Sequence, residues 1–461
     1  MIRKLYPCVI EAGGLGAALL LPLIFNPWAA LPFEPAKVTF LRFVVAGILV
    51  IGTPLALYQW YQTDRTWPSL TALFNHIGFL GVAAFGYGIS VLIATYTSLD
   101  PRYSLWGGSD SHGAITTWCG LLLSLMVGAV IHNQKAVIRL LLALLAGSIP
   151  VCLYGFIQFG QRDPLVWVTD SVSPVLSTLG RSNFLAAYLA VVLPLTFVLW
   201  QESWQQRLPV AQISSSLLLA MQVMCLLLTQ ARAGWLAFVG GISVFLWASR
   251  WRQPLHQIGV RILFFLLLSL ALFLGFSQII AQVPSAPTQT VLTTAPEPSR
   301  SEQRIASIER RLLIWQHTLP FIGEQWLWGF GPEMFATIFN QRYPPGTLYT
   351  GMDTFVTDPH NVLLEQLVTL GVVGTTAWLL MISQYFLALS HLLRRPSRQK
   401  RVGLAAGLAG SMCAYLIQAQ FNPDVVALEM LFWLLLAMAT GLYKEAQVGK
   451  IVQTDNVPTL C

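Results

Sequence analysis

Charged residues are scarce in this sequence. Asp, Glu, Lys and Arg together make up 10% of the 461 residues, whereas a soluble domain carries about 25%. Apolar residues make up 55%, and they form unbroken blocks long enough to cross a bilayer instead of the spaced stripes of an amphipathic helix. The composition excludes a soluble globular protein and predicts an all-α, polytopic integral membrane protein.

The sequence also lacks the patterns that mark several other protein classes. Its six cysteines are scattered, mostly inside apolar blocks, and contain no CxxC pair. Neither a disulfide framework nor a cysteine metal site is therefore predicted. The formal net charge is +7, but the basic residues lie between apolar blocks and are not gathered on one soluble face. This distribution excludes a nucleic-acid partner.

About twelve apolar blocks qualify as membrane-spanning helices by their length and hydropathy. They are residues 9–28, 40–60, 70–96, 114–131, 140–159, 184–200, 211–228, 235–248, 262–281, 362–389, 403–417 and 425–442. The first block leads into further spans that need an orientation, so we interpret it as a retained helix and not as a signal peptide. One large loop is predicted between the ninth and tenth helices.

Basic residues are concentrated in alternate connections, for example at Arg250, Arg252, Arg394 and Arg395. By the positive-inside rule this side is cytoplasmic. The rule places both termini in the cytoplasm. It places the large loop on the extracytoplasmic side of the cell (inner) membrane.

The chain is expected to divide into three parts. Residues 1–283 form the first nine helices, residues 284–360 form the extracytoplasmic loop, and residues 361–461 form the last three helices and a cytoplasmic tail. Within the loop, residues 284–303 are rich in Pro, Thr and Ser, which is typical of a linker. Residues 304–360 are predicted to fold, beginning with an amphipathic helix about five turns long.

The apolar stripe of this amphipathic helix is defined by residues spaced three and four apart. They are Ile305, Ile308, Leu312, Trp315, Leu319 and Ile322. At about 100° per residue, Arg304 and Arg311 fall on the border of the stripe, whereas Arg310 points away from it. We therefore expect Arg311 to be able to face a buried ligand and Arg310 to face water.

His360 follows this segment in the run Asp358-Pro359-His360-Asn361. Pro359 is expected to start the next helix, with His360 in its first turn at the outer membrane surface. A histidine there has two interpretations. It either caps the helix or bonds a neighbour, or it takes part in chemistry. The chemical interpretation is favoured because His360 is the only outward histidine predicted at the start of a membrane helix.

Two further polar residues have a structural and a functional interpretation each. Arg232 lies in a short outward turn, where it either extends to lipid headgroups or grips a phosphate through its planar fork of donors. Glu365, inside a predicted span, either orients a site near His360 or bonds a neighbouring helix. Position alone leaves both pairs of alternatives open.

Three segments of the chain resemble the O-antigen ligase and O-antigen polymerase superfamily of bacterial envelope polysaccharide assembly. They read TQARAGWL from Thr229, RLLIWQHTLPFIGEQWLWGFGPEMF from Arg311, and HNVLLEQLVTLGVVG from His360. Weaker similarity covers EPAKVTFLR, SLWGG and STLGRSNFLAAYLA. The resemblance therefore extends over most of the chain, except the linker before Arg300.

The resemblance implies a membrane glycosyltransferase that moves a glycan from a polyprenyl diphosphate carrier to an acceptor hydroxyl. The acceptor would be a glycolipid, a glycan or a protein. Arg232 and Arg311 would bind the diphosphate, where fixed cations stabilise the charge of the leaving group. His360 would orient or deprotonate the acceptor, since imidazole suits a general base at neutral pH. Arg304 is a possible supporting residue, as is Glu365.

Metal ions and cofactors are not expected. Aspartates on the predicted outward side are each isolated, so no acidic pair could hold a divalent metal, although one carboxylate with a substrate-bound metal stays possible. The arginines could replace a metal as electrophile. Arg181 either supplies a third cation or is an ordinary surface residue.

This sequence departs from the superfamily pattern at two positions. Ala231 stands where a hydroxyl residue usually precedes the turn arginine, and His112 stands where an arginine usually precedes the glycine after SLWGG.

The alternative functions are a polysaccharide polymerase of the same superfamily and, from a different class of protein, a multi-pass small-solute transporter. The internal repeats and paired broken helices typical of transporters are not visible in the sequence. Ligase and polymerase are not distinguished.

Overall fold

The computed structural model describes residues 2–62, 70–108, 112–131, 133–165, 175–249, 300–344, 355–394 and 399–454. Every regular element in these ranges is helical. The α-helices are α1 (Ile2–Leu20), α2 (Glu34–Gln62), α3 (Leu70–Tyr96), α4 (Pro101–Trp106), α5 (Gly113–Val130), α6 (Gln134–Phe159), α7 (Ser182–Gln205), α8 (Pro209–Leu228), α9 (Arg232–Ser249), α10 (Arg300–Glu324), α11 (Met334–Arg342), α12 (Val362–Leu393), α13 (Gln399–Gln418) and α14 (Val426–Thr454).

Ten helices in the described ranges are long and apolar enough to cross a membrane. They are α1, α2, α3, α5, α6, α7, α8, α9, α12 and α14, while α13 contributes a shorter apolar stretch, Val402–Gln418. Each coincides with one predicted block, which confirms the all-α membrane class. The predicted ninth span, 262–281, and most of the predicted linker, 284–299, lie outside the described residues. The total of twelve helices stays a prediction.

The helices α7 and α14 form the interior of the bundle. Nearly all side chains of α7 are buried, and α14 is buried over most of its apolar length. The helix α7 packs against α8, α9 and α13, while α14 packs against α5. This layered packing brings the starts of several helices together at one end of the bundle.

The helix α12 is broken at Gly371, which has a φ of 63° and a ψ of −169°. Backbone groups around the break pair with the connection between α10 and α11. The bonds are Phe330 N to Val368 O (2.9 Å), Gly331 N to Thr369 O (2.9 Å), Val372 N to Trp326 O (2.8 Å) and Val373 N to Leu327 O (3.3 Å). A membrane helix tolerates a break where neighbours satisfy its backbone. This connection is therefore tied directly to α12.

Two glycines at this junction, Gly371 and Gly329, cannot be replaced by a residue with a Cβ atom. A Cβ atom on Gly371 would lie 2.4 Å from Leu327 O, and a Cβ on Gly329 would lie 2.4 Å from the carbonyl carbon of Thr369. Both residues also have positive φ angles, of 63° and 70°. Only glycine combines that backbone conformation with such a close approach.

The predicted amphipathic helix is present as α10, but its buried face differs from the predicted stripe. Ile314, Thr318 and Phe321 are buried, whereas Leu312 is 54% and Leu319 57% exposed. The predicted stripe was therefore wrong in part. The physical reason is that α10 buries the face toward a separate apolar cluster and α12, which leaves a second apolar face uncovered.

That separate apolar cluster lies under the folded segment after α10. Its buried members are Ile314, Phe321, Phe330, Met334, Phe335, Ile338, Phe339, Val356 and Val368. Arg342 of α11 forms an ion pair with Glu324 at the end of α10, and its guanidinium lies 4.7 Å from the centre of the Phe321 ring. The cluster and the ion pair hold α10 and α11 against each other.

Candidate functional site

A cavity of about 520 Å³ lies at the end of the bundle where α2, α5, α7, α12 and α14 begin. This volume is in the range of about 300–1,000 Å³ that is usual for small-molecule sites. Its wall carries many ionisable groups. They are Glu34, His112, Arg181, Glu333, Asp358, His360, Glu365, Asp424 and Glu429. The cavity is thus polar although the surrounding bundle is apolar.

His360 lies on the cavity wall beside Asp358. The ring Nδ1 is 2.8 Å from Asp358 Oδ1, an ion-pair distance, although Nδ1 is not aligned for a hydrogen bond. The same carboxylate oxygen accepts a hydrogen bond from the backbone N–H of His360 at 2.8 Å, and the Thr357 hydroxyl donates to the other oxygen at 3.0 Å. The carboxylate is therefore held against the imidazole.

The charge of Asp358 follows from these contacts. Burial alone would raise the pKa of this carboxyl group, but the charge of His360 and the hydrogen bond from its backbone N–H outweigh burial and hold the pKa below its usual value. Asp358 is thus an anion at neutral pH. A carboxylate held beside an imidazole orients the ring, as in other histidine–aspartate pairs.

His360 precedes the helix instead of lying in its first turn. The helix α12 begins at Val362 and is capped by Asn361, whose side chain accepts hydrogen bonds from Leu363 N and Leu364 N. His360 has a φ of 53°. The prediction that Pro359 starts the helix was wrong, because the Asn361 cap fixes the start and the left-handed His360 turns the chain into it.

The helix α10 is anchored to this turn. The indole Nε1 of Trp315 donates a hydrogen bond to Pro359 O at 2.8 Å. Arg311 lies one helical turn before Trp315 and is half-buried, whereas Arg310 is exposed. Burial lowers the pKa of Arg311, and the negative charge of Asp358 partly offsets this effect. The structure thus brings Arg311 near the His360 segment.

A second histidine–carboxylate pair lines the same cavity. His112 Nε2 lies 3.3 Å from Glu34 Oε2, and this oxygen also accepts a hydrogen bond from Val426 N at 2.9 Å. Burial would lower the pKa of His112, but the hydrogen bond and charge of Glu34 outweigh burial and raise it to about 10. His112 is therefore a cation at neutral pH.

Lys37 adds a buried cation one turn after Glu34. Its ammonium group donates a hydrogen bond to Thr178 O at 2.9 Å, lies 5.3 Å from the centre of the Phe33 ring, and is fully buried. Lys37 thereby ties the start of α2 to the segment that leads into α7. This segment ends at Arg181.

The arginines Arg181 and Arg232 stand at neighbouring helix starts. Arg181 precedes α7, lines the cavity and lies 5.7 Å from the centre of the Phe184 ring. Arg232 is the first residue of α9 and is exposed. A Cβ on Gly234 would lie 2.4 Å from Ala186 Cβ, so the two helix starts are in contact. Arg232 does not line the cavity.

The inner wall of the cavity is acidic. Asp424 Oδ2 accepts a hydrogen bond from the Tyr415 hydroxyl at 2.5 Å, and Glu429 Oε1 accepts one from Trp433 Nε1 at 3.2 Å. Burial and the charge of Glu429 raise the pKa of Asp424 to about 7. Asp424 therefore holds a proton more readily than an ordinary carboxyl group.

Some of the predicted site residues line the cavity and others lie outside it. His360, Glu365 and Arg181 line the cavity. Arg311 lies within electrostatic range of Asp358 but does not line the cavity, and Arg232 lies outside the cavity on a neighbouring helix start. Arg304 is part of α10, but its side chain lies outside the described residues.

Sequence reasoning missed several residues that share this site. Asp358, Glu34 and Asn422 all line the cavity. The only local signal was Asp358, two residues before His360 in the chain. Glu34 and Asn422 reach the site only through tertiary packing.

In the described parts of the chain, no group of three or more His, Cys, Asp and Glu side chains could hold a metal ion. The expected absence of a metal stays a prediction.

The fold and the cavity define a multi-pass membrane protein with a polar site at one end of its helix bundle. A family model described as O-antigen ligase matches residues 215–379, which confirms the resemblance to the O-antigen ligase superfamily. The match includes Arg232, Arg311, His360 and Glu365, whereas His112 lies outside it. Among curated protein sequences, none matches the chain.

Proposed function

We propose that this protein is a membrane glycosyltransferase of the O-antigen ligase type. It transfers a glycan from a polyprenyl diphosphate carrier to an acceptor hydroxyl on the extracytoplasmic side of the cell membrane. The observation that carries this proposal is the His360–Asp358 pair on the wall of a polar cavity at the end of the bundle. The match to the family supports it.

His360 is the general base of the proposed reaction. Its Nδ1 faces Asp358, which leaves Nε2 to take the proton of the acceptor hydroxyl. The acceptor oxygen bonds to the anomeric carbon of the glycan while the bond from that carbon to the diphosphate oxygen breaks. The electron pair of that bond leaves with the polyprenyl diphosphate. Asp358 stabilises the imidazolium that forms.

The leaving group gathers negative charge as the glycosidic bond breaks. Arg232 and Arg311 are proposed to bind the diphosphate through their planar guanidinium groups. Arg181 lines the cavity at the helix start next to that of Arg232, so it is placed to supply a third cation. Preorganised cations of this kind lower the barrier to bond breaking. The proposed reaction requires no metal and no cofactor.

The acceptor distinguishes a ligase from a polymerase. A ligase uses a lipid-linked core sugar, a polymerase uses another carrier-linked repeat unit, and a third class uses a protein hydroxyl. The reaction at His360 is the same for all three. The acceptor must therefore be determined by experiment.

The test is reconstitution of the purified protein in liposomes with a polyprenyl diphosphate-linked oligosaccharide. Each acceptor class is offered separately, with and without excess chelator. We expect glycan transfer to one acceptor, with release of one polyprenyl diphosphate for each glycan, in both conditions. Loss of transfer that only magnesium or manganese restores would refute metal independence. Failure with every acceptor, together with uptake of a small solute, would instead support a transporter.

A further inference from the structure

The turn between α13 and α14 forms part of the cavity wall next to His360. Asn422, Pro423 and Asp424 all line the cavity. The turn is fixed to the start of α12, because Val362 N donates a hydrogen bond to Ala419 O at 2.8 Å. This contact places the turn beside the proposed general base.

The Asn422 side chain has hydrogen-bonding capacity that the protein does not use. It is only 2% exposed, and neither Oδ1 nor Nδ2 has a partner among the described residues. A buried amide without partners is costly, because it has lost its bonds to water and gained none. Such a group on a cavity wall is explained by a ligand that both donates and accepts a hydrogen bond.

Glu365 offers a second unused group on the same wall. Its Oε2 is buried and has no partner in the described ranges. Glu365 lies one helical turn after Asn361, on the helix to which the Asn422 turn is fixed. A carboxyl group accepts hydrogen bonds and also donates one when it is protonated, so a hydroxyl group suits it in either state.

The carboxyl groups around the Asn422 turn disfavour an anionic ligand at this part of the wall. Asp424 is two residues from Asn422 and within electrostatic range of Glu429, so the carboxyl groups around this turn would repel a phosphate or a uronic acid. Aromatic rings complete the wall, since Tyr87 and Trp433 lie 6.3 Å apart at their centres. Hydroxyl-binding groups beside aromatic surface match a neutral sugar ring, which has polar edges and apolar faces.

We infer that Asn422 and Glu365 form a binding subsite for adjacent hydroxyl groups of a neutral sugar ring, and this inference rests on the proposed glycan transfer. The Asn422 amide donates to one hydroxyl and accepts from its neighbour, while Glu365 accepts from a hydroxyl. The ring belongs either to the donor glycan or to the acceptor. The experiment below separates these two sources.

The first experiment measures binding without transfer. Saturation-transfer NMR on the full chain in nanodiscs uses methyl glucoside, methyl galactoside and methyl glucuronide as probes. We expect both neutral glycosides to receive saturation and the glucuronide to receive less. Asn422→Leu should weaken binding of the neutral glycosides about tenfold or more, since it removes two hydrogen bonds. Absence of any saturation transfer to the neutral glycosides with the wild type would overturn the inference.

Gln418→Leu is the matched control. Gln418 is also a fully buried amide with no side-chain partner in the described ranges, but it does not line the cavity. If Asn422 had only a structural function, the two variants would bind the glycosides alike. Replacing an unpaired amide by an apolar group should leave the melting temperature unchanged or raise it in both. Asn422→Ala provides the same comparison should Asn422→Leu fail to fold.

The second experiment measures transfer kinetics. A tenfold rise in KM for the donor alone assigns the ring to the donor, and a rise for the acceptor alone assigns it to the acceptor. Unchanged kinetics and unchanged glycoside binding in Asn422→Leu would refute the subsite while leaving the transferase intact. Glycoside binding that depends on Asn422, in a protein that transfers nothing, would instead refute the proposed function and keep the subsite.

Discussion

Two histidine–carboxylate pairs line the same cavity, but the chain builds them in different ways. Asp358 and His360 are two residues apart in one turn, whereas Glu34 and His112 come from separate helix starts. Asp358 accepts hydrogen bonds from the His360 backbone and from the Thr357 hydroxyl, and it lies at ion-pair distance from the imidazole. Among the described residues, Glu34 accepts a hydrogen bond from one backbone N–H besides its contact with the imidazole.

The two histidine–carboxylate pairs therefore have different expected functions, although they consist of the same residue types. The pKa of His112 is raised to about 10, so this residue is a fixed positive charge. His360 faces the cavity from a turn that a nearby helix and Asn361 hold in place, as a base must be held. We therefore expect the local pair to act in the chemical step and the distant pair to act in binding and folding.

The largest expected effect comes from His360→Ala. Transfer should fall by about 10²–10⁴-fold, the usual contribution of a general base, while membrane insertion is retained. His317→Ala is the control, since His317 bonds Leu313 O within α10 and does not line the cavity. His112→Ala should be milder than His360→Ala. Near-normal transfer by His360→Ala at saturating acceptor would show that His360 has only a structural function.

Asp358→Asn should have the next largest effect. It keeps the shape of the side chain but removes the charge beside the imidazole. We therefore expect kcat to fall about 10- to 100-fold. This is the effect of losing a charge-assisted interaction of about 1.5–3 kcal/mol. Asp100→Asn is the control, because Asp100 caps α4 and Asn is an equally good cap. Equal kcat values for the two variants would contradict the paired function of Asp358.

Arg311→Lys is expected to lower kcat/KM about tenfold, since lysine keeps the charge but loses the bidentate fork. Arg310→Lys should leave kcat/KM nearly unchanged, because Arg310 is exposed. Steady-state kinetics of the two purified variants provide the measurement. Similar losses in both would show that the half-buried position of Arg311 has no bearing on transfer.

The smallest effect concerns pH and the His112–Glu34 pair. Below about pH 6.5, the ordinary pKa of histidine, His112 is protonated in the folded and unfolded chains alike, so the pair stabilises the fold fully. As pH rises toward about 10, the folded pKa, only the folded chain keeps the proton and the stabilisation is lost. The melting temperature in detergent should fall across this window.

Glu34→Gln should remove most of that pH dependence, which a set of melting curves would reveal. The Asp358 pair has the opposite sign, because the pKa of Asp358 is lowered. Its stabilisation is complete above the ordinary carboxyl pKa and is lost only as pH falls below it. If the melting temperature of Glu34→Gln fell equally steeply with rising pH, the His112–Glu34 pair would not be the cause of the pH dependence.

Much of the fold follows from local sequence pattern. Unbroken apolar blocks predict the spanning helices because a buried backbone in lipid must bond within its own helix. The spacing of Trp315 and its neighbours predicts α10 as a helix. His360 could be singled out since its position before an apolar block is visible in the chain.

The remaining features depend on contacts between distant residues. Glu34 and His112 pair only after α2 and α5 have packed, and Asn422 reaches the cavity through the turn fixed to Val362. The buried face of α10 was predicted wrongly in part, because apolar residues on both faces make its amphipathic pattern ambiguous. Leu312 is the clearest case, since it fits the stripe and yet is exposed.

The break at Gly371 also bears on the order in which the chain is assembled. Residues 326–331, whose backbone pairs with the break, are synthesised before α12. Their backbone groups are thus available as soon as the helix emerges, so its open peptide groups need not wait for a later segment. Each such group left unpaired in the bilayer would cost several kcal/mol. A circular permutation that moved 326–331 behind α12 would place the same residues in the same fold but reverse this timing.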